Sequence, residues 1–173
     1  FRAVAAPTGI FFTGDRQSGP TIMKYGRDEV KDEILPAIVR GECCFCIGMS
    51  EPGSGSDLFA ASTRATKTDG GYLINGSKIW TSGAHVADYM IGLFRTSAPT
   101  ADNRREGLTQ FVVDMKKPGI TVNPVLQMTG AHEFNEVVFE DVFVEDKYVM
   151  GEPVQAWKQA TSELAYERSG PER

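Results

Sequence analysis

Cysteine and histidine are scarce in this sequence, which has three cysteines and two histidines among 173 residues. The cysteines share one apolar run, Cys43-Cys44-Phe45-Cys46-Ile47, and neither histidine lies near it. A tetrahedral metal site needs further ligands at suitable spacing, so no metal site is expected. Neighbouring strand residues point to opposite faces, so none of the three thiols is well placed for an unstrained disulfide. We expect buried thiols, which favour a reducing compartment.

Long apolar runs and an excess of basic residues are also missing. No stretch reaches the roughly 18 to 20 apolar residues that a membrane-spanning helix needs. The net charge is -5 and the isoelectric point is near 5.1, without a basic stripe of the kind that nucleic-acid binders carry. With 41% hydrophobic and 24% charged residues, the chain is typical of a soluble globular domain with appendages.

Helical patterns occur near both ends of the chain. Before the cysteine run, apolar spacing interrupted by Gly26 and Pro36 predicts short helices over residues 21–25 and 28–39. A helical stripe containing Trp157 and Leu164 returns after residue 153. The chain begins without methionine and stops as this second stripe would continue, so we expect a piece of a larger protein.

The middle of the chain has the alternating pattern of β-strands. The tetrapeptide Thr68-Asp69-Gly70-Gly71 predicts a hairpin turn, and the polar stretch 96–106 predicts an exposed, mobile loop. This spacing is typical of an antiparallel sheet or barrel, so we expect a mainly β fold, an antiparallel β-barrel or sandwich flanked by short helical segments. The predicted strands span residues 43–47, 61–67, 72–75, 77–81, 89–95, 109–114, 121–124 and 135–139, with a last short one near Val142.

Residues 48–58, here called the glycine loop, read Gly-Met-Ser-Glu-Pro-Gly-Ser-Gly-Ser-Asp-Leu. The loop follows the cysteine run, and Gly53 and Gly55 would let its backbone approach an anion and aim N–H groups at it. Such a loop suits a phosphorylated cofactor, although an ordinary turn has the same composition. Glu51 and Asp57 are interpreted as residues that stabilise turns, not as acid–base catalysts.

A second motif, Asn-Gly-Ser-Lys-Ile-Trp-Thr-Ser-Gly over residues 75–83, is called the tryptophan segment. Together the two motifs resemble the acyl-CoA dehydrogenase family, in which a Ser/Thr-Glu-Pro-Gly-Ser/Ala-Gly-Ser-Asp loop and an Asn-Gly-x-Lys-x-Trp-x-Ser/Thr strand hold a flavin between them. Residues 157–168 resemble the start of that family's C-terminal domain. The resemblance implies three regions: the end of an N-terminal helical domain (1–42), a middle β-domain (43–150) and the start of a C-terminal helical domain (151–173).

The resemblance also implies FAD as the cofactor and assigns residues to it. Trp80 would form a flat wall against the isoalloxazine ring, and Ser82, on the same side of the strand, would bond near N5. Ser50 would contact the pyrimidine edge, and Ser56 would lie near the cofactor phosphates and the acyl-CoA. The full cofactor-binding set implied by the family is Ile47, Met49, Ser50, Gly55, Ser56, Trp80, Thr81 and Ser82.

Other residues have weaker assignments. Arg168 matches a family arginine on the acyl-CoA side, so the implied substrate-binding residues are Ser56 and Arg168, although a solvated helix residue is an equal reading of Arg168. A core position is the alternative for Trp80. Surface or core roles are expected for His85 and His132, which lack metal-ligand spacing.

By this resemblance, the intact protein is an FAD-dependent dehydrogenase that oxidises acyl-CoA to trans-2-enoyl-CoA and passes electrons to an electron-transfer flavoprotein. It would be a homotetramer or homodimer in the bacterial cytoplasm or the mitochondrial matrix. The family's catalytic glutamate would lie beyond residue 173, so no catalytic residue is assigned and the chain alone is expected to be inactive. An acyl-CoA oxidase, a flavin monooxygenase, a non-catalytic acyl-CoA-binding or interaction module and a purely structural β-barrel remain alternatives.

Overall fold

The computed structural model describes residues 11–99, 103, 106–153, 156 and 160, and it begins with helices. A π-helical stretch, Thr13–Ser18, continues into helix α1, Gly19–Tyr25, and helix α2 spans Asp28–Val39. Helix α1 has a proline in its first turn, where proline is best tolerated because it has no backbone N–H to donate to an intrahelical hydrogen bond. The predicted helix over residues 28–39 is confirmed, and α1 begins two residues earlier than predicted.

Eight strands follow, and they form one sheet in the order β6-β7-β3-β2-β4-β5-β8, with β1 paired to β4. The predicted hairpin is confirmed, since β2 and β3 pair around residues 69–70. Short 3-10 turns occupy Leu58–Ala60 and Asp146–Tyr148. The strands are β1 (Phe45–Gly48), β2 (Arg64–Thr68), β3 (Gly71–Ser82), β4 (Tyr89–Arg95), β5 (Leu108–Asp114), β6 (Ile120–Val125), β7 (Phe134–Glu145) and β8 (Val149–Met150).

The prediction of an antiparallel barrel was wrong in two respects. The sheet is mixed, because β4 runs parallel to both β1 and β2. It is also not closed: within the described residues, β6 and β8 are the two ends of the strand order and do not pair. Alternation of apolar and polar residues indicates where strands are, but it carries no information about the direction of the neighbouring strand.

Two strands are longer than predicted because β-bulges lie within them. In β3, residues 79 and 80 stand opposite a single residue of β7, and in β7, residues 140 and 141 stand opposite a single residue of β3. Each bulge contains a non-glycine residue with positive φ, Trp80 (62°) and Asp141 (49°). A bulge adds one residue to one strand and re-aims the side chains beyond it, so a strand with a bulge resembles two short strands in sequence.

The apolar core has two main parts on opposite sides of β4 and β5. On one side, Ile22, Val30 and Ile34 of the helices pack against the sheet with Ile91 and Val112. On the other side, β3 and β7 fold over β4 and β5, and aromatic side chains fill the space between them. Phe94 lies 5.5 Å from Phe139 and 5.8 Å from Phe111, and Tyr72 lies 5.0 Å from Phe111, measured between ring centroids.

The cysteines are free, as predicted, with Cys43 and Cys46 buried and Cys44 half-buried. No group of three metal-ligating side chains occurs in the part of the chain that the structure describes. No helix among the described residues is both long and apolar enough to cross a membrane. The predicted helical stripe around Trp157 and Leu164 lies outside the described residues, and so does part of the predicted loop over residues 96–106.

Candidate functional site

The glycine loop and the tryptophan segment lie side by side. The backbone N–H of Ile79 donates to the carbonyl of Ser50 across 2.9 Å, and the Lys78 ammonium donates to the carbonyl of Met49 across 3.3 Å. These residues are nearly thirty positions apart in sequence, and direct contact between β1 and β3 brings the loop beside the tryptophan segment. The two motifs therefore form one continuous surface.

A buried ion pair joins the two motifs. Lys78 Nζ lies 2.8 Å from Glu51 Oε1, and the two side chains are 0% and 4% exposed. The same carboxylate accepts hydrogen bonds from the backbone N–H groups of Ser62 and Thr63, at 2.7 Å and 3.0 Å, and from the Ser62 hydroxyl at 3.0 Å. The Lys78 ammonium also lies 5.2 Å from the centre of the Phe94 ring, a cation–π distance. Both charges are thus compensated inside the protein.

The environment of this pair favours its ionised form at neutral pH. Burial raises the pKa of the Glu51 carboxyl, but the Lys78 charge and the hydrogen bonds from residues 62 and 63 outweigh it, so the pKa is lowered overall. Burial lowers the pKa of Lys78 to about 8, against the opposing effect of Glu51. A carboxylate held in this way by its neighbours is a poor general base, so the interpretation of Glu51 as a structural residue is consistent with the geometry.

The glycine loop contains a tight turn. Glu51 and Ser54 exchange backbone hydrogen bonds of 2.8 Å and 3.0 Å, and the buried Ser54 hydroxyl donates to the carbonyl of Asp57 across 2.6 Å. Gly55 and Ser56 are exposed, and a Cβ atom added at Gly55 would meet no other atom within 4 Å. A ligand could therefore approach this part of the backbone closely.

The bulge in β3 sets the direction in which the side chains of the tryptophan segment point. Regular alternation would place the side chains of Lys78 and Trp80 on the same face. Lys78 is fully buried, whereas Trp80 is 58% exposed, because the extra residue turns the strand between them. Beyond the bulge Thr81 is buried, whereas Ser82 is exposed like Trp80. The Trp80 and Phe134 rings form an edge-to-face pair with centroids 6.1 Å apart, and the 58% exposure of Trp80 leaves part of the indole accessible to a ligand.

Asn75 supports the opposite bulge, in β7. Its amide donates to the Asp141 carboxylate across 2.9 Å, and its carbonyl oxygen accepts from the Asp141 N–H across 3.0 Å. Two hydrogen bonds from one side chain therefore hold Asp141 at its positive φ. The asparagine of the motif has a structural explanation that is independent of any ligand.

The Asn135 side chain forms hydrogen bonds that tie β7 to the end of the tryptophan segment. Its buried amide donates to the carbonyl of Thr81 across 3.0 Å and contacts His85 Nδ1 at 3.3 Å, and its oxygen lies 2.7 Å from His132 Nε2. The two imidazole rings stack with their centroids 4.3 Å apart. Both histidines are exposed, so the predicted surface reading of this pair agrees with the structure.

The sequence-predicted residues fall into three groups. Ser50, Gly55, Ser56, Trp80 and Ser82 lie on or beside the surface that the two motifs share, and all but the half-buried Ser50 are exposed. The partly buried side chains of Ile47 and Met49 pack against apolar clusters and the Thr81 side chain is buried, so these three residues could offer a ligand mainly backbone atoms. Arg168 lies outside the described residues.

Sequence reasoning missed the partners Glu51–Lys78, Asn75–Asp141 and Asn135–Thr81. A lysine among strand residues, two positions before a tryptophan, was an available signal for the first pair, because a buried lysine needs a counter-charge. The other two pairs depend on the β-bulges, which the sequence pattern did not predict.

Comparison with known proteins identifies relatives. The family model described as acyl-CoA dehydrogenase, middle domain, matches residues 46–142, more than half of the chain. Acyl-CoA dehydrogenase FadE34 of Mycobacterium tuberculosis is 44% identical over 151 residues, which cover 87% of this chain and 21% of that protein. Acyl-CoA dehydrogenase IpdE1 of the same organism is 36% identical over 163 residues, which cover 94% of this chain and 42% of that protein.

Solved structures give the same result. A chain of the Tcur3481-Tcur3483 steroid ACAD, G363A variant, superposes with a TM-score of 0.86 at 35% identity, covering 91% of this chain and 41% of that one. The ChsE4-ChsE5 complex from Mycobacterium tuberculosis gives a TM-score of 0.83 at 34% identity, and the match covers 95% of this chain and 42% of the matched chain. A structure titled as the FAD complex of PigA gives a TM-score of 0.78 at 25% identity, and the match covers 86% of this chain and 39% of the matched chain.

The chain spans less than half the length of the relatives it matches. Its matched region contains both motifs and most of the sheet, from β1 into β7. The chain therefore belongs to the acyl-CoA dehydrogenase family and contains that family's middle domain.

Proposed function

We propose that this domain forms the flavin-binding wall of an FAD-dependent acyl-CoA dehydrogenase that oxidises an acyl-CoA to the trans-2-enoyl-CoA. The observation that carries the proposal is the junction of the two motifs, where the Ser50–Ile79 hydrogen bond and the Glu51–Lys78 pair hold an exposed indole beside an exposed glycine loop. An exposed apolar ring next to a stretch of loop with open space at Gly53 and Gly55 matches a cofactor that has both a flat ring system and phosphates.

The residues present fit FAD. Trp80 would pack against the isoalloxazine ring, and the Ser82 hydroxyl, on the same exposed face, would donate a hydrogen bond near N5. The exposed backbone at Gly55 and Ser56 would approach the phosphates, with Ser56 also near the acyl-CoA. When bound, FAD would supply the hydride acceptor, while the protein contributes binding, orientation and electrostatics. That a relative is titled as an FAD complex supports this assignment.

Other parts of the proposal concern the intact protein. Its catalytic base would be a glutamate of the C-terminal domain, Arg168 would lie on the acyl-CoA side, and this chain alone would be inactive. Electrons would pass to an electron-transfer flavoprotein, and the protein would form a homotetramer or homodimer in the cytoplasm or the mitochondrial matrix. Two related structures are titled as a steroid ACAD and as a ChsE4-ChsE5 complex, so steroid-bearing acyl-CoAs and assembly with a second chain belong in the tests.

The first experiment is an anaerobic titration of the purified intact protein with acyl-CoAs, followed by visible absorption. The panel contains straight-chain, branched and steroid-bearing thioesters. We expect bound flavin whose visible band bleaches with one class of acyl-CoA, because reduction removes that band. A protein without flavin would contradict the proposal, and bound flavin that no acyl-CoA reduces would favour a non-catalytic module or a flavin enzyme with another substrate.

Variants connect the result to this domain. Trp80→Phe and Ser82→Ala should weaken FAD binding and change the flavin spectrum, whereas Phe143→Leu, a partly exposed aromatic of β7 outside the motifs, is the matched control. An unchanged spectrum and unchanged turnover in both variants would contradict the assigned wall. Stopped-flow reoxidation in air separates a dehydrogenase, which reacts slowly with oxygen, from an oxidase or monooxygenase of the same fold.

A further inference from the structure

The Glu51–Lys78 pair differs from every other ion pair among the described residues. Both of its side chains are essentially buried, at 4% and 0% exposure. In the other described pairs, each side chain is at least 25% exposed, as in Lys67–Asp146 with 54% and 39%. Exposed pairs contribute little to stability, whereas breaking a buried pair leaves an uncompensated charge in the interior. A buried pair at this position therefore calls for a specific explanation.

The pair connects three separate segments of the chain. Glu51 belongs to the glycine loop, its carboxylate holds the N–H groups of Ser62 and Thr63, and Lys78 belongs to the tryptophan segment. The ammonium also holds the carbonyl of Met49, so the residues on both sides of Ser50 are tied to β3. The Ile79–Ser50 backbone hydrogen bond lies directly beside this network.

We propose that Glu51 and Lys78 are positioning residues, which fix the distance and orientation between the glycine loop and the tryptophan segment and so set how FAD is held. The inference rests on the proposed function and deepens it. Neither side chain is exposed enough to touch a ligand, so both would act through Ser50, Ile79 and the bulge at Trp80.

The chemistry of the pair explains why charge is used instead of apolar packing. Apolar residues of similar volume often replace a buried ion pair without loss of stability, but they provide no directional bonds. The carboxylate and ammonium of this pair satisfy four backbone groups or hydroxyls in addition to each other. A neutral replacement that still folds should therefore lose the geometry of the site more than the stability of the fold.

The test compares the intact wild-type protein with Lys78→Met, Glu51→Gln and the double variant. Lys67→Met, which removes an exposed pair at the β2–β3 hairpin, is the control. The measurements are the Kd of FAD for the apoprotein, the visible circular dichroism of bound flavin, and the midpoint of urea unfolding. Glu51→Gln has nearly the shape of the wild-type side chain, so it keeps the test possible if Lys78→Met does not fold.

We expect both single variants to raise the Kd of FAD at least tenfold and to change the flavin dichroism. In the double variant the unfolding midpoint should return towards the wild-type value, while the altered flavin dichroism should persist. Lys67→Met should bind FAD like the wild type. A single variant that binds FAD within twofold of wild type with the same dichroism would overturn the inference, because a merely structural pair would show that behaviour.

If the wild-type protein binds no flavin, the proposed function fails and the positioning role is tested alone. Amide hydrogen exchange at Thr63 and Ile79 then becomes the readout, because both N–H groups donate to the glycine loop. Faster exchange at both amides in Glu51→Gln than in Lys67→Met would support the positioning role. Equal exchange in the two variants would overturn it.

Discussion

Single residues in this domain do several structural tasks at once, and Glu51 is the clearest example. Its carboxylate neutralises Lys78 and accepts three further hydrogen bonds, two of them from backbone N–H groups. An acceptor with this many donors is held in its ionised form, because each donor favours the charged state. The residue thus converts a turn-like sequence into a fixed loop beside β3.

The free energy of unfolding at acidic pH should depend on the protonation of the Glu51 carboxylate. Its folded-state pKa is below the ordinary value of 4.5, so the unfolded chain takes up the proton at higher pH than the folded chain does. The stabilisation by Glu51 is therefore present above about pH 4.5 and is lost as the pH falls through the folded-state pKa. We expect the difference in free energy of unfolding between wild type and Glu51→Gln to change little between about pH 5 and 6, below the pKa of Lys78, and to shrink below pH 5.

The measurement is urea unfolding at a series of pH values between 3 and 7. Glu140→Gln, an exposed carboxylate on β7, is the matched control and should follow the wild-type curve in parallel. A wild-type to Glu51→Gln difference that does not depend on pH would show that Glu51 is not held in its ionised form.

The cysteine thiols should differ in reactivity. Burial raises the pKa of Cys43 to about 11 and that of Cys46 to about 12, whereas Cys44 is half-buried and its pKa is raised less. The thiolate is the reactive form, so iodoacetamide at pH 8 should modify Cys44 first, and Cys43 and Cys46 only after unfolding. Peptide mapping by mass spectrometry after timed labelling measures this order. Equal labelling of all three thiols in the folded protein would contradict the packing around β1.

At the scale of elements, the two bulges of the β3–β7 pair shape the site. One turns Trp80 outward from a strand whose neighbouring Lys78 is buried, and the other is held by Asn75. The residue that follows Asn75, Gly76, has a φ of 132°, and a Cβ atom there would lie 2.9 Å from the Cα of Thr63. Gly83, at the end of the tryptophan segment, also has positive φ (68°), but a Cβ atom there would meet no atom within 4 Å.

These two glycines give a matched pair of substitutions. Gly83→Ala adds only the strain of a left-handed residue, about 1 kcal/mol. Gly76→Ala adds a less accessible φ and a clash with backbone, which together should reduce the free energy of unfolding by about 3 kcal/mol or more. Chemical unfolding of both variants measures the difference. Equal losses would mean that the β3 backbone at Gly76 can move away from Thr63.

At the scale of the whole molecule, the helices pack against one side of the sheet and form one of its two main apolar clusters. Ile34 of α2 is 1% exposed and belongs to the cluster that contains Ile91 and Val112 of the sheet. Polar contacts reinforce the same junction, because Glu33 accepts from Lys147 at 3.0 Å and from the Tyr148 hydroxyl at 2.8 Å. These polar groups are partly exposed, so apolar packing should dominate the energetics.

Substitutions at two neighbouring residues of α2 compare the contribution of apolar packing with that of the polar contacts. Ile34→Ala should reduce the free energy of unfolding by about 2–5 kcal/mol, because it leaves a cavity in the core. Glu33→Gln removes the charge from an exposed pair and should change it by less than about 1 kcal/mol. Unfolding monitored by far-ultraviolet circular dichroism measures both. A small effect of Ile34→Ala would show that the helices are not part of the same cooperative unit as the sheet.

The amino-acid sequence determined the local structural features and the family to which the chain belongs. Helical spacing placed α2, a turn signature placed the β2–β3 hairpin, and the two motifs indicated the family. These features depend on short-range patterns, which are written in consecutive residues.

The tertiary structure decided the features that join distant residues. It set the parallel pairing of β4 with β1 and β2, the bulge that exposes Trp80, and the partners of Glu51 and Asn75. Strand direction and register depend on which segments meet in space, and one bulge reverses the face of every later side chain in its strand. A periodic pattern in one segment cannot encode that encounter, so the ion pair and the hydrogen bonds that join the two motifs became visible only in the folded chain.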